Sequence, residues 1–140
     1  MGQTAFIHNP HIFRVQSDAL PWLPVGPGAY FKPLWYSEDT GAWSVLSKAE
    51  PGVVLPYHLH HAPGEFFVLQ GHGSFPDGEY KPGDYFFEPP SVYHDATVFE
   101  TETVLYYHSY GAVTFYQEDR KTPAFVQDFK LVKQLLEKVK

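Results

Sequence analysis

The sequence predicts an all-β barrel or sandwich finished by a single C-terminal α-helix. Three observations carry this expectation. Thirteen Pro and eleven Gly in 140 residues cut the chain into short segments, which suits strands and turns better than long helices. Aromatic residues make up 18%, and Phe and Tyr fit pleated, half-buried surfaces. A four-three apolar spacing marks the tail, at Phe125, Phe129, Val132, Leu136 and Val139, as one face of a helix does. The length allows one domain with a real core, residues 1–140, and not two.

Residues 1–20 show little periodicity and read as an arm, with a candidate edge strand at Ile12-Phe13-Arg14-Val15. Pro21 to Gly28 is a Pro/Gly-rich connection. Tyr30 to Tyr36 and Trp43 to Lys48 flank Ser37-Glu38-Asp39-Thr40-Gly41, a hairpin turn. Pro51-Gly52 is a second turn, and Val53 to His60 follows as a strand. His61-Ala62-Pro63-Gly64 turns the chain into Glu65 to Gln70, expected to lie antiparallel to the strand before it. Further turns fall at Pro76-Asp77-Gly78 and Lys81-Pro82-Gly83-Asp84, and late strands at Thr103 to Tyr110 and Ala112 to Tyr116. Thr122 and Pro123 supply an N-cap and a first helical residue, so the helix is expected over 122–140. Its apolar stripe is expected to pack on the barrel of the same chain.

The formal charge of −6 argues against nucleic acid as a partner, since phosphate binding needs a basic surface. No apolar run approaches a membrane span. The first residues lack the basic and apolar regions of a signal peptide, which leads to the expectation of a cytoplasmic protein. The chain has no Cys, so a metal here would be held by nitrogen and oxygen.

Candidate ligands converge on one segment. His58 and His60 are two apart, and side chains at i and i+2 of a strand share a face. Glu65 and His94 complete a set suited to a first-row divalent metal, iron(II) in particular, with zinc, nickel or manganese as other occupants. His61 faces away from His60, and His8, His11, His72 and His108 stand outside the pattern. If His58 and His60 point inward, so do Val54 and Pro56. Val53, Leu55, Tyr57 and Leu59 then point outward although apolar, and a homodimer or an intramolecular layer is expected to cover them.

Gly52, five residues, His58, one, His60, four, Glu65 and then Gly71 resemble the first motif of the cupin superfamily. Gly83, five residues, Pro89 and then His94 resemble the second, with Ser91 and Val98 where that motif has Gly and Asn. The resemblance implies a double-stranded β-helix, or jelly-roll, barrel. Phe31-Lys32-Pro33-Leu34, Thr40 to Leu46 and Gly83 to Pro90 are similar to the ketone-cleaving group that includes 2,4'-dihydroxyacetophenone dioxygenase and the acetylacetone-cleaving dioxygenase. That group implies three His ligands, here His58, His60 and His94. It also implies a Glu six residues before the last His, here Glu88, which supports the site without binding the metal. Glu65 stands where ordinary cupins keep a carboxylate ligand, and three-His enzymes often do not.

The resulting expectation is an iron(II) dioxygenase that uses O2 to cleave a carbon–carbon bond in a small β-diketone or hydroxyketone. Phe67, Phe86 and Tyr106 are candidates for the aromatic wall, and Glu88 for the catalytic carboxylate. The alternatives are a non-catalytic zinc-binding sensor module, as in an anti-sigma factor of the same broad group, and a metal-dependent isomerase or lyase.

Overall fold

The computed structural model describes residues 5–140. The reading of the signal-free N-terminus rests largely on residues 1–4, which lie outside the described residues. In chain order the first strands are β1 (Phe6–Asn9), β2 (Ile12–Val15), β3 (Leu23–Gly26), β4 (Ala29–Tyr36), β5 (Trp43–Ala49) and β6 (Val54–Leu55). Next come β7 (His58–His60), β8 (Gly64–Gln70), β9 (Gly73–Phe75), β10 (Gly78–Tyr80) and β11 (Tyr85–Glu88). The last are β12 (Tyr93–His94), β13 (Thr97–Val98), β14 (Thr103–Ser109), β15 (Val113–Tyr116) and β16 (Pro123–Gln127), followed by α1 (Phe129–Val139).

Two antiparallel sheets face each other. One has the order β11-β8-β14-β5-β4-β3 and the other β12-β7-β15-β16. The pairs β1-β2, β9-β10 and β6-β13 form three separate two-stranded sheets. The interior follows strand alternation. On β8, Phe66 and Val68 are buried while Phe67 and Leu69 are exposed. Phe31, Trp43 and Val45 of the larger sheet share a core with Val113 and Phe115 of the smaller one. Trp43 is fully buried, and its indole nitrogen donates to the Gly111 carbonyl at 2.9 Å. Its polar tip is therefore satisfied within the core.

Several expectations change here. β7 and β8 do not pair with each other. β7 pairs with β12 and β15, and β8 with β11 and β14. The Ala62-Pro63 connection carries the chain from one sheet to the other instead of making a hairpin. Val53 to His60 is not one strand either, because the chain breaks at Pro56-Tyr57 between β6 and β7. The alternation restarts there, so Val54 is exposed while Val53 and Leu55 pack on the core. Tyr57 is covered by its own chain, with its ring 5.3 Å from Tyr93 and 5.9 Å from Tyr116. The N-terminal segment is also less of an arm than expected, since Ala5 and Phe6 join the core.

The helix begins later than expected. Pro123–Gln127 pairs with β15 as a strand, and Phe125 belongs to that strand. Thr122 bonds to Asp119. The N-cap is Asp128, whose carboxylate accepts from the Lys130 and Leu131 amides at 3.0 and 3.2 Å, as an extended capping residue should. Val132, Leu135 and Leu136 are buried against the barrel, and each such side chain contributes about 1.5–3 kcal/mol. Among the described residues no helix is long and apolar enough to cross a membrane.

Asp128→Ala removes the acceptor for two otherwise unpaired amides. It should lower the unfolding free energy by about 0.5–2 kcal/mol in a urea titration, and an unchanged midpoint would remove Asp128 from the capping role.

Candidate metal centre

The chain break at Pro56 sets the orientation of the first ligand. The Pro56 carbonyl accepts from His58 Nδ1 at 2.8 Å, which leaves Nε2 bare and aimed inward. His58 and His60 are both buried, two apart on one face of β7. The ladder places His94 of β12 directly opposite His58. Glu88 comes from the other sheet. It ends β11, where Phe86 and Glu88 are turned inward and Tyr85 and Phe87 outward.

Glu88 Oε2 lies 2.8 Å from His60 Nε2, 2.8 Å from His94 Nε2 and 3.6 Å from His58 Nε2. His58, His60 and Glu88 each offer a ligand atom within 4.8 Å of one another and could hold a metal ion. Neither Glu88 Oε2 nor His94 Nε2 makes a hydrogen bond, despite the short approaches and their burial. Lone pairs aimed at a common point rather than at one another leave this pattern, and unpartnered buried polar atoms of this kind suit a cation. Three nitrogens and one oxygen, with no thiolate, fit a first-row divalent ion.

Burial alone would push the Glu88 carboxyl up, but the imidazoles of His58, His60 and His94 outweigh it and hold the carboxyl well below the usual range. The Glu88 carboxylate in turn raises the His94 imidazole more than burial lowers it. Gly64 makes the close packing beside the site feasible. A Cβ there would stand 3.2 Å from both His60 Nδ1 and the Tyr107 hydroxyl. Ser91 takes the left-handed backbone, φ 65°, that a glycine would adopt more easily. Its amide donates to the His60 carbonyl at 2.8 Å, tying the loop before β12 to the ligand strand.

The cluster opens on a cavity of about 730 Å³ with mostly apolar walls, including Phe31, Phe66, Phe86, Leu105, Tyr107 and Phe115. Phe86 was expected there. Phe67 and Tyr106 are instead on the outer face, 39% and 38% exposed. Their inward neighbours Phe66 and Tyr107 take the wall, one residue out of step with the expectation. Burial, helped by the charge of Glu88, holds the Tyr107 phenol far above its usual range.

Glu65 as a fourth ligand is corrected by the same alternation. It lies opposite Phe87 and His108 on the outer face of its sheet, where its carboxylate accepts from the Tyr110 hydroxyl. Glu88 occupies the position beside the imidazoles. Glu88, expected from its place six residues before His94 to support the site without binding a metal, instead stands among the imidazoles within reach of a shared ion. His61 and His108 are held by Thr114 and Ser44, each at 2.7 Å, outside the site.

Two outcomes test this geometry. Purified protein should lose its metal on mild dialysis when both His58 and His60 are replaced by Ala. It should bind metal about 10–100-fold more weakly as Glu88→Gln, and keep full occupancy as Glu65→Gln, all read by elemental analysis. In metal-free protein, the raised His94 contributes stability that is present below its ordinary value of 6.5 and lost as pH rises through the raised one. The lowered Glu88 contributes stability present above its ordinary 4.5 and lost only at lower pH. Thermal stability of the metal-free chain should therefore fall as the buffer is taken from pH 6.5 into the alkaline range. A rise over that interval would contradict the pairing.

Comparison with known proteins agrees with this architecture. The chain is 27% identical over 105 residues to the acetylacetone-cleaving enzyme of Acinetobacter johnsonii, covering 71% of this chain and 69% of that protein. The crystal structure of the acetylacetone dioxygenase from Acinetobacter johnsonii superposes with a TM-score of 0.76 at 19% identity, over 100% of both chains. A putative acetylacetone dioxygenase from Methylibium petroleiphilum gives 0.75 at 23% identity, over 96% of this chain and 97% of the other. At those identities the two superpositions speak for the fold. Residues 11–114 match the ChrR cupin-like domain, and the chain belongs to that cupin family.

Proposed function

We propose that this protein is a metal-dependent dioxygenase that cleaves a carbon–carbon bond in a small β-diketone or hydroxyketone. The observation that carries the reading is a cluster of three imidazoles and one carboxylate set in the wall of an apolar cavity large enough for a small molecule. The likeness to an acetylacetone-cleaving enzyme supports the choice of substrate.

His58, His60 and Glu88 would hold the metal, with His94 beside them. When bound, a divalent ion, iron(II) on this reading, supplies Lewis acidity towards a chelating enolate and a route to O2. The protein's own groups do the rest. Glu88, kept ionised by its three neighbours, has a second carboxylate oxygen left to accept a proton or hydrogen bond from an enol or hydroxyl. Tyr107, kept protonated by burial, stays a donor towards a substrate oxygen. Phe66, Phe86 and Phe115 exclude water and flank a small apolar substituent. Both atoms of O2 end in the two fragments, a carboxylic acid and a dicarbonyl from a β-diketone, so no external reductant is needed.

One observation favours a second reading. With Glu88 among three His, the cluster can supply four ligands, the number of a closed structural zinc site. The two readings separate in an oxygen electrode. Iron(II)-loaded protein should take up one O2 per pentane-2,4-dione consumed, and Glu88→Gln should slow turnover by about 10–100-fold per bound iron. Full iron loading with no uptake across β-diketones and hydroxyacetophenones would support the zinc-binding module.

A further inference from the structure

The cavity beside the imidazoles is larger than a small diketone needs. Its volume of about 730 Å³ lies in the range of about 300–1,000 Å³ that holds a drug-sized ligand, and pentane-2,4-dione would fill only a fraction of it. Part of the remainder follows the inward rows of the six-stranded sheet. Tyr107, whose ring lies 6.4 Å from that of His60, marks the end beside the cluster. From there the wall passes to Leu105 and Ser47, which face each other across the β5–β14 ladder, and on to Ala49, which lies opposite Thr103. Along β14 the step from Tyr107 to Thr103 spans about 13 Å at the usual rise of a strand.

The far end of this row has small, apolar walls. Ala29 pairs with Ala49 on one side and with Gly26 of the edge strand β3 on the other, and all three line the cavity. A Cβ on Gly26 would meet nothing within 4 Å. Val53, also in the wall, packs with the same core cluster as Ala49. The charged residues of the wall other than Glu88 offer no partner to a charged ligand there. Lys48 holds its ammonium over the Trp22 and Tyr30 rings, Asp95 pairs with Arg120 at 3.2 Å, and Asp77 is exposed in the turn between β9 and β10. A chamber built this way rewards buried hydrocarbon and penalises a buried ion.

Resting on the dioxygenase reading, we propose that the dicarbonyl or hydroxyketone head of the substrate carries one long, uncharged hydrocarbon arm, which lies along β4 and β5 from the cluster towards the β3–β4 turn. The test is calorimetric titration of zinc-loaded protein without O2, since zinc has no redox chemistry. Affinity should rise about two- to fourfold with each added methylene, making undecane-2,4-dione bind about 100-fold or more tighter than pentane-2,4-dione. Ala49→Leu should cut that ratio to about tenfold or less. Because the variant could fail to fold, wild-type protein is also illuminated with an undecane-2,4-dione that carries a diazirine at the tip of its arm. The label should fall within residues 25–29 or 49–53. No binding, an affinity independent of arm length, an unchanged ratio in folded Ala49→Leu protein, or labels confined to other segments would overturn the proposal. Any of these with O2 uptake on pentane-2,4-dione intact would leave the dioxygenase reading standing. Length-dependent binding without O2 uptake would sink that reading and keep the arm site.

Discussion

A carboxylate taken into an apolar interior has to be met by groups that stabilise its charge, and Glu88 is met by three imidazoles that can share a proton or a cation with it. Left alone, such an ion would cost several kcal/mol. The strand arrangement around it serves that requirement. The break at Pro56 frees the His58 ring to bond back to a carbonyl, the β7–β12 ladder sets His94 opposite His58, and the end of β11 brings Glu88 across from the other sheet. The aromatic walls lower the local dielectric, which strengthens every interaction in the cluster.

The local chemistry of this site was legible in the sequence and its global placement was not. The His58/His60 step follows from the two-residue period of a strand, and His94 from motif spacing. Glu65 misled because it follows the pair closely, yet on β8 it falls on the outer face of the sheet, opposite Phe87 and His108. The choice between Glu65 and Glu88 depends on which face each strand turns inward. Alternation gives that only once the phase is known, and the phase is reset wherever a Pro breaks a strand. The same slip moved the aromatic wall from Phe67 and Tyr106 to Phe66 and Tyr107. The helix stripe held from Phe129 onward. Its start was misplaced because Thr122-Pro123 imitates a cap, while Asp128 makes the real one.

Membership in a cupin family gives the scaffold, and the scaffold hosts many chemistries. What narrows the field in this chain is the donor set and the cavity beside it. The donors are nitrogen and oxygen only, the walls are mostly aromatic and aliphatic, and a phenol and a carboxylate are held in opposite protonation states within one pocket. Such a pair offers a proton donor and a proton acceptor to the same small ligand.

The ladders of β7 also tie the candidate ligand cage to the assembly of the whole barrel. This three-residue strand carries two of the candidate ligands, yet both of its partners, β12 and β15, lie far downstream in the chain. The main-sheet pairs β5–β14 and β8–β14 close loops of similar length, and each such loop must close before its contacts reward it. The cage is thus a product of the barrel's long-range pairing and its core, in contrast to small zinc domains whose chains stay unfolded until the metal arrives.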